Sequence, residues 1–280
     1  MERQKRAAAI HDISCFGRCS LTVALPVLSA AGIETSVIPT AVLSTHTGGF
    51  DGFTYRDLTE DILPIVKHWN SLNLGFDAIY TGFLGSFEQI EIVMEAIRII
   101  RGKDTLVVVD PVMADNGELY SLFPKEFPTG MRKLCAVADI IVPNMTEAAL
   151  LLGEDYREPP YTRGETSRLL CALCELGPKK SVLTGVSYDG ESLGAASYDS
   201  DTGEFGYYGV PRIGGMYHGT GDVFASALVA AMLRGHSLAS AIRAAVDFTV
   251  NSIARSKEAG SDNRYGVNFE AGLGEFAAGL

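Results

Sequence analysis

Short apolar runs alternate along the chain with longer stretches of helical spacing. Ala7–Ile13, Thr35–Val42, Asp77–Thr81, Leu106–Val109, Asp139–Val142 and Lys180–Thr184 are apolar or β-branched and predict strands. Between them, Leu21–Ala31, Tyr55–Asn70, Phe87–Arg101, Thr129–Ala138, a helix opening at Pro143–Glu147, and Arg163–Leu176 predict helices. In Phe87–Arg101 the stripe is Ile90, Val93, Met94, Ile97 and Ile100, one face of a 3.6-residue repeat. Ser20 and Ser86 are placed to cap the helices that follow them, and Gly32 suits the left-handed position after the first helix. A run such as Leu106–Val109 shows no polar alternation, which is the pattern of a strand covered on both faces. The pattern changes at Ser192–Pro211, where two arms around a polar turn at Asp199–Glu204 predict an antiparallel hairpin. Val223–Arg234 and Leu238–Lys257 follow as helices; 43–54 and 111–128 read as connections, and Glu258–Leu280 has no clear period. The whole is an α/β fold, a single domain over 1–280, with a mainly parallel central sheet. In such sheets ligands sit beyond the carboxyl ends of the strands. Asp12, Phe83, Asp110, Asn144 and Thr184 fall at those ends.

One stretch stands out against this background, Gly214-Gly-Met-Tyr-His-Gly219-Thr-Gly-Asp222, running straight into the apolar Val223–Val229. Small residues allow several backbone N–H groups to converge on one point, and the helix start adds its positive dipole end. That is an anion site, for which a phosphate is the natural ligand. Asp222 carries two readings: an acidic residue in a capped first turn, or a base that takes a proton from a hydroxyl while the Gly219, Thr220 and Gly221 amides hold the transferred phosphoryl group. The stretch follows a hairpin rather than a first strand and has no Gly-Lys-Ser/Thr, so it is neither a dinucleotide fingerprint nor a P-loop.

Two more constellations point to the same chemistry. Asn144-Met-Thr-Glu147 puts an amide and a carboxylate three apart on one helix face, either to share a cation and its waters or to form a capping box. Asp110-Pro-Val-Met-Ala-Asp115 places an acid at a strand end beside a proline turn, which is a turn signal as well as a site for a metal-bound water; Asp115 and Tyr120 lie in the loop that could close over a nucleotide. Asp12 and the loop His46-Thr47-Gly48-Gly49 offer polar groups for a small substrate, with Phe16, Phe50 or Phe83 as an apolar wall; His46 reads as an ordinary loop residue.

Composition narrows the partners. The formal net charge of −11 argues against a nucleic-acid surface, which demands clustered Lys and Arg, and the short cluster Arg3–Arg6 reads as a solvated start. No apolar run reaches the ~18 residues of a membrane span. The five cysteines are odd in number and Cys171-Ala-Leu-Cys174 lies inside a helix with no second pair, so a cytoplasmic setting and structural packing are expected rather than disulfides or zinc.

Taken in order, Ser44–Gly48, Thr81–Ser86, Asp110–Met113, Ala138–Glu147 and Gly219–Asp222 resemble the ribokinase superfamily, and within it the pyridoxal (vitamin B6) kinases. The resemblance implies a ribokinase-like three-layer sandwich, usually a homodimer, that phosphorylates the 5′-hydroxymethyl group of pyridoxal, pyridoxamine or pyridoxine with ATP and Mg²⁺, and it leaves room for a monovalent cation. It further implies Asp222 as the base and the Gly219–Gly221 amides as the anion hole. Asp110, Asn144 and Glu147 would organise the metal and nucleotide, Thr184, Asp115 and Tyr120 would contact the nucleotide, and Asp12, Thr47, Gly48 and Phe83 would line the substrate pocket. Asp12 stands where many such kinases have Ser, Phe83 where Tyr is frequent, and Gly185 where some carry Lys or Ser. A charge at Asp12 would suit a protonated pyridine or an amine-bearing vitamer. Hydroxymethylpyrimidine (phosphate) kinase is the alternative enzyme, and a non-catalytic binding protein on the same fold the alternative class.

Overall fold

The computed structural model describes residues 3–280. Its elements are β1 (Arg6–Ser14), α1 (Leu21–Ala30), β2 (Glu34–Leu43), β3 (Tyr55–Asp57), α2 (Thr59–Ser71), β4 (Ala78–Thr81), α3 (Phe87–Ile100) and β5 (Leu106–Val109). There follow β6 (Ala114–Asp115), β7 (Glu118–Leu119), α4 (Phe127–Ala136), β8 (Ile140–Ile141), α5 (Met145–Leu152), α6 (Arg163–Glu175) and β9 (Lys180–Val186). The chain finishes with β10 (Ser192–Asp199), β11 (Glu204–Pro211), α7 (Thr220–Leu233), α8 (Leu238–Glu258) and α9 (Leu273–Gly279).

One nine-stranded sheet runs in the order β11-β10-β9-β8-β5-β4-β1-β2-β3. The six strands from β9 to β2 pair in parallel, while β10, β11 and β3 add antiparallel edges. Both faces are covered, as the unbroken apolar runs require. One face packs Ile62, Val66, Ile90, Val93, Met131, Leu151 and Leu170 of α2 to α6 against Ile10, Ile79 and Val107. The other packs Val23, Val27, Leu228 and Ile242 of α1, α7 and α8 against Ala7, Ala78 and Val108. This is the α/β sandwich with a mostly parallel sheet that the pattern predicts.

Three local expectations change. Tyr55 does not begin a helix: Tyr55–Asp57 pairs antiparallel with Ala41–Leu43, and Asp57 Oδ1 then accepts the Thr59 N–H at 2.7 Å as α2 starts. The connection 111–128 contains the small hairpin β6–β7. The glycine-rich tail is ordered into two 3₁₀ turns, Asn263–Tyr265 and Glu270–Gly272, and α9. Cys171 and Cys174 are free thiols within α6, consistent with packing.

Candidate active site

Asp110, Asn144 and Thr184 are brought together because β5, β8 and β9 are neighbours; Thr184 lies within β9, which runs on to Val186, rather than at its end as expected. Asn144 forms an isolated parallel bridge with Thr184, whose N–H donates to the Pro143 carbonyl at 3.0 Å. Asn144 caps α5: its Oδ1 accepts the Glu147 N–H at 2.9 Å, and Glu147 Oε2 accepts the Asn144 N–H at 2.9 Å. The capping box predicted as one alternative is therefore present. It leaves room for more, because each carboxylate oxygen has two lone pairs. Glu147 Oε1 accepts the Met113 N–H at 3.1 Å, and Asn144 Nδ2 donates to the Ala114 carbonyl at 2.8 Å, locking the box to the loop after β5.

Facing this edge is the start of α7. Gly219 is its N-cap with φ +73°, and a Cβ there would overlap the Arg18 carbonyl oxygen, so only glycine fits. Thr220, Gly221 and Asp222 form the first turn. A cavity of about 350 Å³ lies between, lined by Asp110, Asp115, Tyr120, Asn144, Glu147, Thr184, His218 and Gly219–Asp222, with Val246, Val250 and Ile253 of α8 as an apolar wall.

The electrostatics of this cavity are lopsided. Burial raises the Asp110 carboxyl well above its usual range, and the nearby Glu147 and Asp222 charges add to the shift. Glu147 is raised for the same first reason, against the pull of its backbone N–H partners. Asp222 is pushed up to about 7 by burial and by the Asp12 charge, opposed by the Ser20 backbone N–H. Asp222 is nevertheless partly open to the cavity. Arg212 also lines the cavity, but none of the three acids forms an ion pair among the described residues, and carboxylates so crowded make a site that awaits positive charge. No cluster of three or more His, Cys, Asp or Glu among the described residues is arranged to hold a metal unaided.

The residues expected to bind the acceptor are arranged differently. Asp12 lies within β1 rather than at its end, 3% exposed; Oδ2 accepts the Ser14 hydroxyl at 3.2 Å, while Oδ1 has no partner. Asp12, Thr47, Gly48 and Phe83 are not walls of the cavity. Asp12 is buried near enough for its charge to act on Asp222, and Phe83 is drawn into the core, its ring 5.6 Å from Phe123, which in turn stacks on Phe127 at 3.9 Å. Gly48 touches the cavity through one intermediary: a Cβ there would meet His218 Cε1 at 2.8 Å.

The family described as phosphomethylpyrimidine kinase matches residues 25–267. The chain belongs to that family. It is 38% identical to a Bacteroides thetaiotaomicron protein described as a candidate phosphomethylpyrimidine kinase and solved in one crystal form with pyridoxal; the match covers 98% of this chain and 96% of that one, with a TM-score of 0.93. It is 32% identical to a pyridoxal kinase from Lactobacillus plantarum, covering 99% and 98% of the two chains with a TM-score of 0.87. It is also 26% identical to a hydroxymethylpyrimidine/phosphomethylpyrimidine kinase from Streptomyces coelicolor, over 85% of this chain and 84% of that protein. The chain is a kinase of the pyridoxal and hydroxymethylpyrimidine group, on a fold these structures share.

Two histidines of the chain have contacts that their positions in the sequence do not announce. His218 lines the cavity, and its ring centroid lies 5.2 Å from that of His46. The Gly48 N–H donates to His46 Nδ1 at 3.2 Å, so Nε2 carries the proton and donates to the Arg264 carbonyl at 2.5 Å. His46 thus pins the loop after β2 to the 3₁₀ turn of the tail, a partner 218 residues away that no local spacing signals. No helix among the described residues is long and apolar enough to cross a membrane.

Proposed function

We propose that the protein transfers the γ-phosphoryl group of ATP to the 5′-hydroxymethyl group of a B6 vitamer, with Asp222 as general base. The observation that carries this reading is the position of Asp222: its carboxyl is raised to about 7 and opens onto a cavity whose other walls include Asp110, Asn144, Glu147 and Thr184. A carboxylate with a pKa near neutrality is matched to deprotonating an alcohol as it attacks. The Gly219, Thr220 and Gly221 amides, at the positive end of α7, would hold the phosphoryl group in flight. Thr184, Asp115, Tyr120 and the apolar wall of α8 would hold the nucleotide.

The donor set fits a hard cation. Asp110 and Glu147 are buried acids that form no ion pair among the described residues, and Asn144 keeps Glu147 in place. Mg²⁺ bound to nucleotide phosphates commonly keeps several waters and uses one or two carboxylates, which is what Asp110 and Glu147 can offer. When bound, the ion would neutralise phosphate charge. Asp12, buried outside the cavity lining, has an unpartnered Oδ1 that could accept a hydrogen bond from a pyridinium nitrogen or an amine once the acceptor ring opens the pocket, with Thr47, Gly48 and Phe83 on the same acceptor side. The pyridoxal in the 38%-identical structure supports this acceptor.

Hydroxymethylpyrimidine is the second acceptor, favoured by the family's description and by the Streptomyces coelicolor relative. The deciding experiment compares Mg²⁺- and ATP-dependent phosphorylation of pyridoxal, pyridoxamine, pyridoxine and hydroxymethylpyrimidine by kcat/KM. The reading predicts a B6 vitamer ahead, with pyridoxamine favoured by Asp12. A higher kcat/KM for hydroxymethylpyrimidine would transfer the assignment to thiamine synthesis, and no phosphorylation of any of them would leave a binding protein.

A further inference from the structure

The loop after β2 carries Thr47 and Gly48, and Gly49 and Gly52 follow close behind. Backbone so rich in glycine is costly to order, and a loop ordered only on binding loses that cost from its ligand's affinity. Here the loop is fastened, and by the far end of the chain. His46, 8% exposed, is the fastener. Its Nδ1 accepts the Gly48 N–H at 3.2 Å, and its Nε2–H donates to the Arg264 carbonyl at 2.5 Å. One ring thus shapes the loop from within and ties it to the tail. The turn after β1 closes on the same ring, since a Cβ on Gly17 would stand 2.8 Å from His46 Cδ2. Phe50 meets His46 edge-on at 5.0 Å and lies parallel to Tyr265 at 6.2 Å, and the Arg264 guanidinium sits 5.7 Å from the Phe50 centroid.

The tail turn is itself held firmly. Asp262 Oδ1 accepts the Arg264 N–H at 2.9 Å, and its Oδ2 pairs with the Arg264 guanidinium at 2.6 Å. The Arg18 N–H donates to the Tyr265 carbonyl at 2.9 Å, and the His218 N–H to the Asn263 carbonyl at 3.4 Å. The turn before α1 depends on this support. Ser20, expected to cap that helix, makes no side-chain capping bond. Thr22 secures the turn locally instead, its hydroxyl donating to the Cys19 carbonyl at 2.7 Å. Residues 262–266 therefore join three segments: the turn after β1, the loop after β2 and the approach to Gly219.

We propose that the tail turn Asp262–Gly266 is the mount of the acceptor-binding loop, with His46 as the positioning residue that fastens one to the other. Thr47 and Gly48 are held in place for the acceptor by a carbonyl 218 residues from His46. This role rests on Thr47 and Gly48 meeting the acceptor, as in the function proposed above.

The test compares His46→Gln and His46→Asn with the wild type, as full chains, at a temperature where thermal melts show all three folded. Gln places an amide N–H near the position of Nε2 and can reach the Arg264 carbonyl; Asn places an oxygen near Nδ1 and keeps only the bond to Gly48. Kinetics use MgATP and whichever of the four acceptors is phosphorylated fastest, and calorimetry measures acceptor binding with a non-hydrolysable ATP analogue. His46→Asn should raise the acceptor KM and weaken acceptor binding about 5- to 10-fold, the worth of one buried neutral hydrogen bond. Its kcat and its KM for ATP should stay near the wild type, and His46→Gln should restore acceptor binding. An unchanged acceptor KM in His46→Asn, equal losses in the two variants, or a loss that falls on kcat or on ATP would overturn the role. Hydrogen exchange of the wild type gives a check that needs no variant. Segments 44–50 and 262–266 should open together, and a loop exchanging far faster than the tail would overturn the mount. If the wild type phosphorylates an acceptor while the variants behave like it, only the mount falls; if it binds and phosphorylates none of the four, the proposed function falls and the mount with it.

Discussion

Gly219 shows how a single missing side chain shapes the centre. Its φ of +73° and its contact with the Arg18 carbonyl leave no space for a methyl group, and it opens the run Gly219–Gly221 that lines the cavity. Gly219→Ala should therefore cost about 2 kcal/mol or more of stability and reduce turnover, measured by denaturant melts and initial rates. Gly221 has nothing within 4 Å of where its Cβ would stand, so Gly221→Ala should melt close to the wild type. Asp110, Asn144, Glu147, Gly219 and Asp222 were legible in the sequence as positions, because each sits at a strand end or in a glycine run. The partners of His46 and His218 were not: the Arg264 carbonyl lies 218 residues from His46, and the Asn263 carbonyl that takes the His218 N–H lies in the same tail.

At the scale of elements, α5 does two jobs with one pair of side chains. The Asn144–Glu147 box satisfies helix-end N–H groups and also fixes a carboxylate beside Asp110. Asn144→Ala removes the cap and the bond to Ala114, so it should destabilise by about 1–2 kcal/mol, read from denaturant melts. Strand and helix existence followed from apolar period, since most elements are buried on a predictable face. Tyr55–Asp57 did not, because Tyr55, Leu58 and Ile62 fit a helical stripe. What overrides that period is the free edge of β2, a non-local partner. The tail lacked a period because its order comes from docking: Arg255 Nε donates to the Asn268 carbonyl at 2.9 Å and Phe276 stacks on Phe248.

For the whole molecule, the acid cluster couples stability to pH and ligand. Asp110, Glu147 and Asp222 all have folded values raised above their unfolded ones. Each therefore contributes stability that is complete below its unfolded value and lost as pH rises through the folded one; for Asp222 that window runs from the ordinary carboxylate value of 3.8 to about 7. Without ligand, the protein should melt higher at about pH 5.5 than at about pH 8. Adding Mg²⁺ with a non-hydrolysable ATP analogue should narrow that gap, because ligand that binds only the folded state raises its stability. A Tm rising steadily from the lower to the higher pH without ligand would show that the acids are not strained together.

The same base governs the chemistry, and replacing it tests the account most directly. Asp222→Asn keeps the shape of the side chain and removes its proton acceptor. Turnover of Mg²⁺, ATP and the preferred acceptor should fall about 10²–10⁴-fold, with nucleotide affinity nearly intact and the Tm at about pH 8 raised. A folded Asp222→Asn protein that turns over at the wild-type rate would contradict the account.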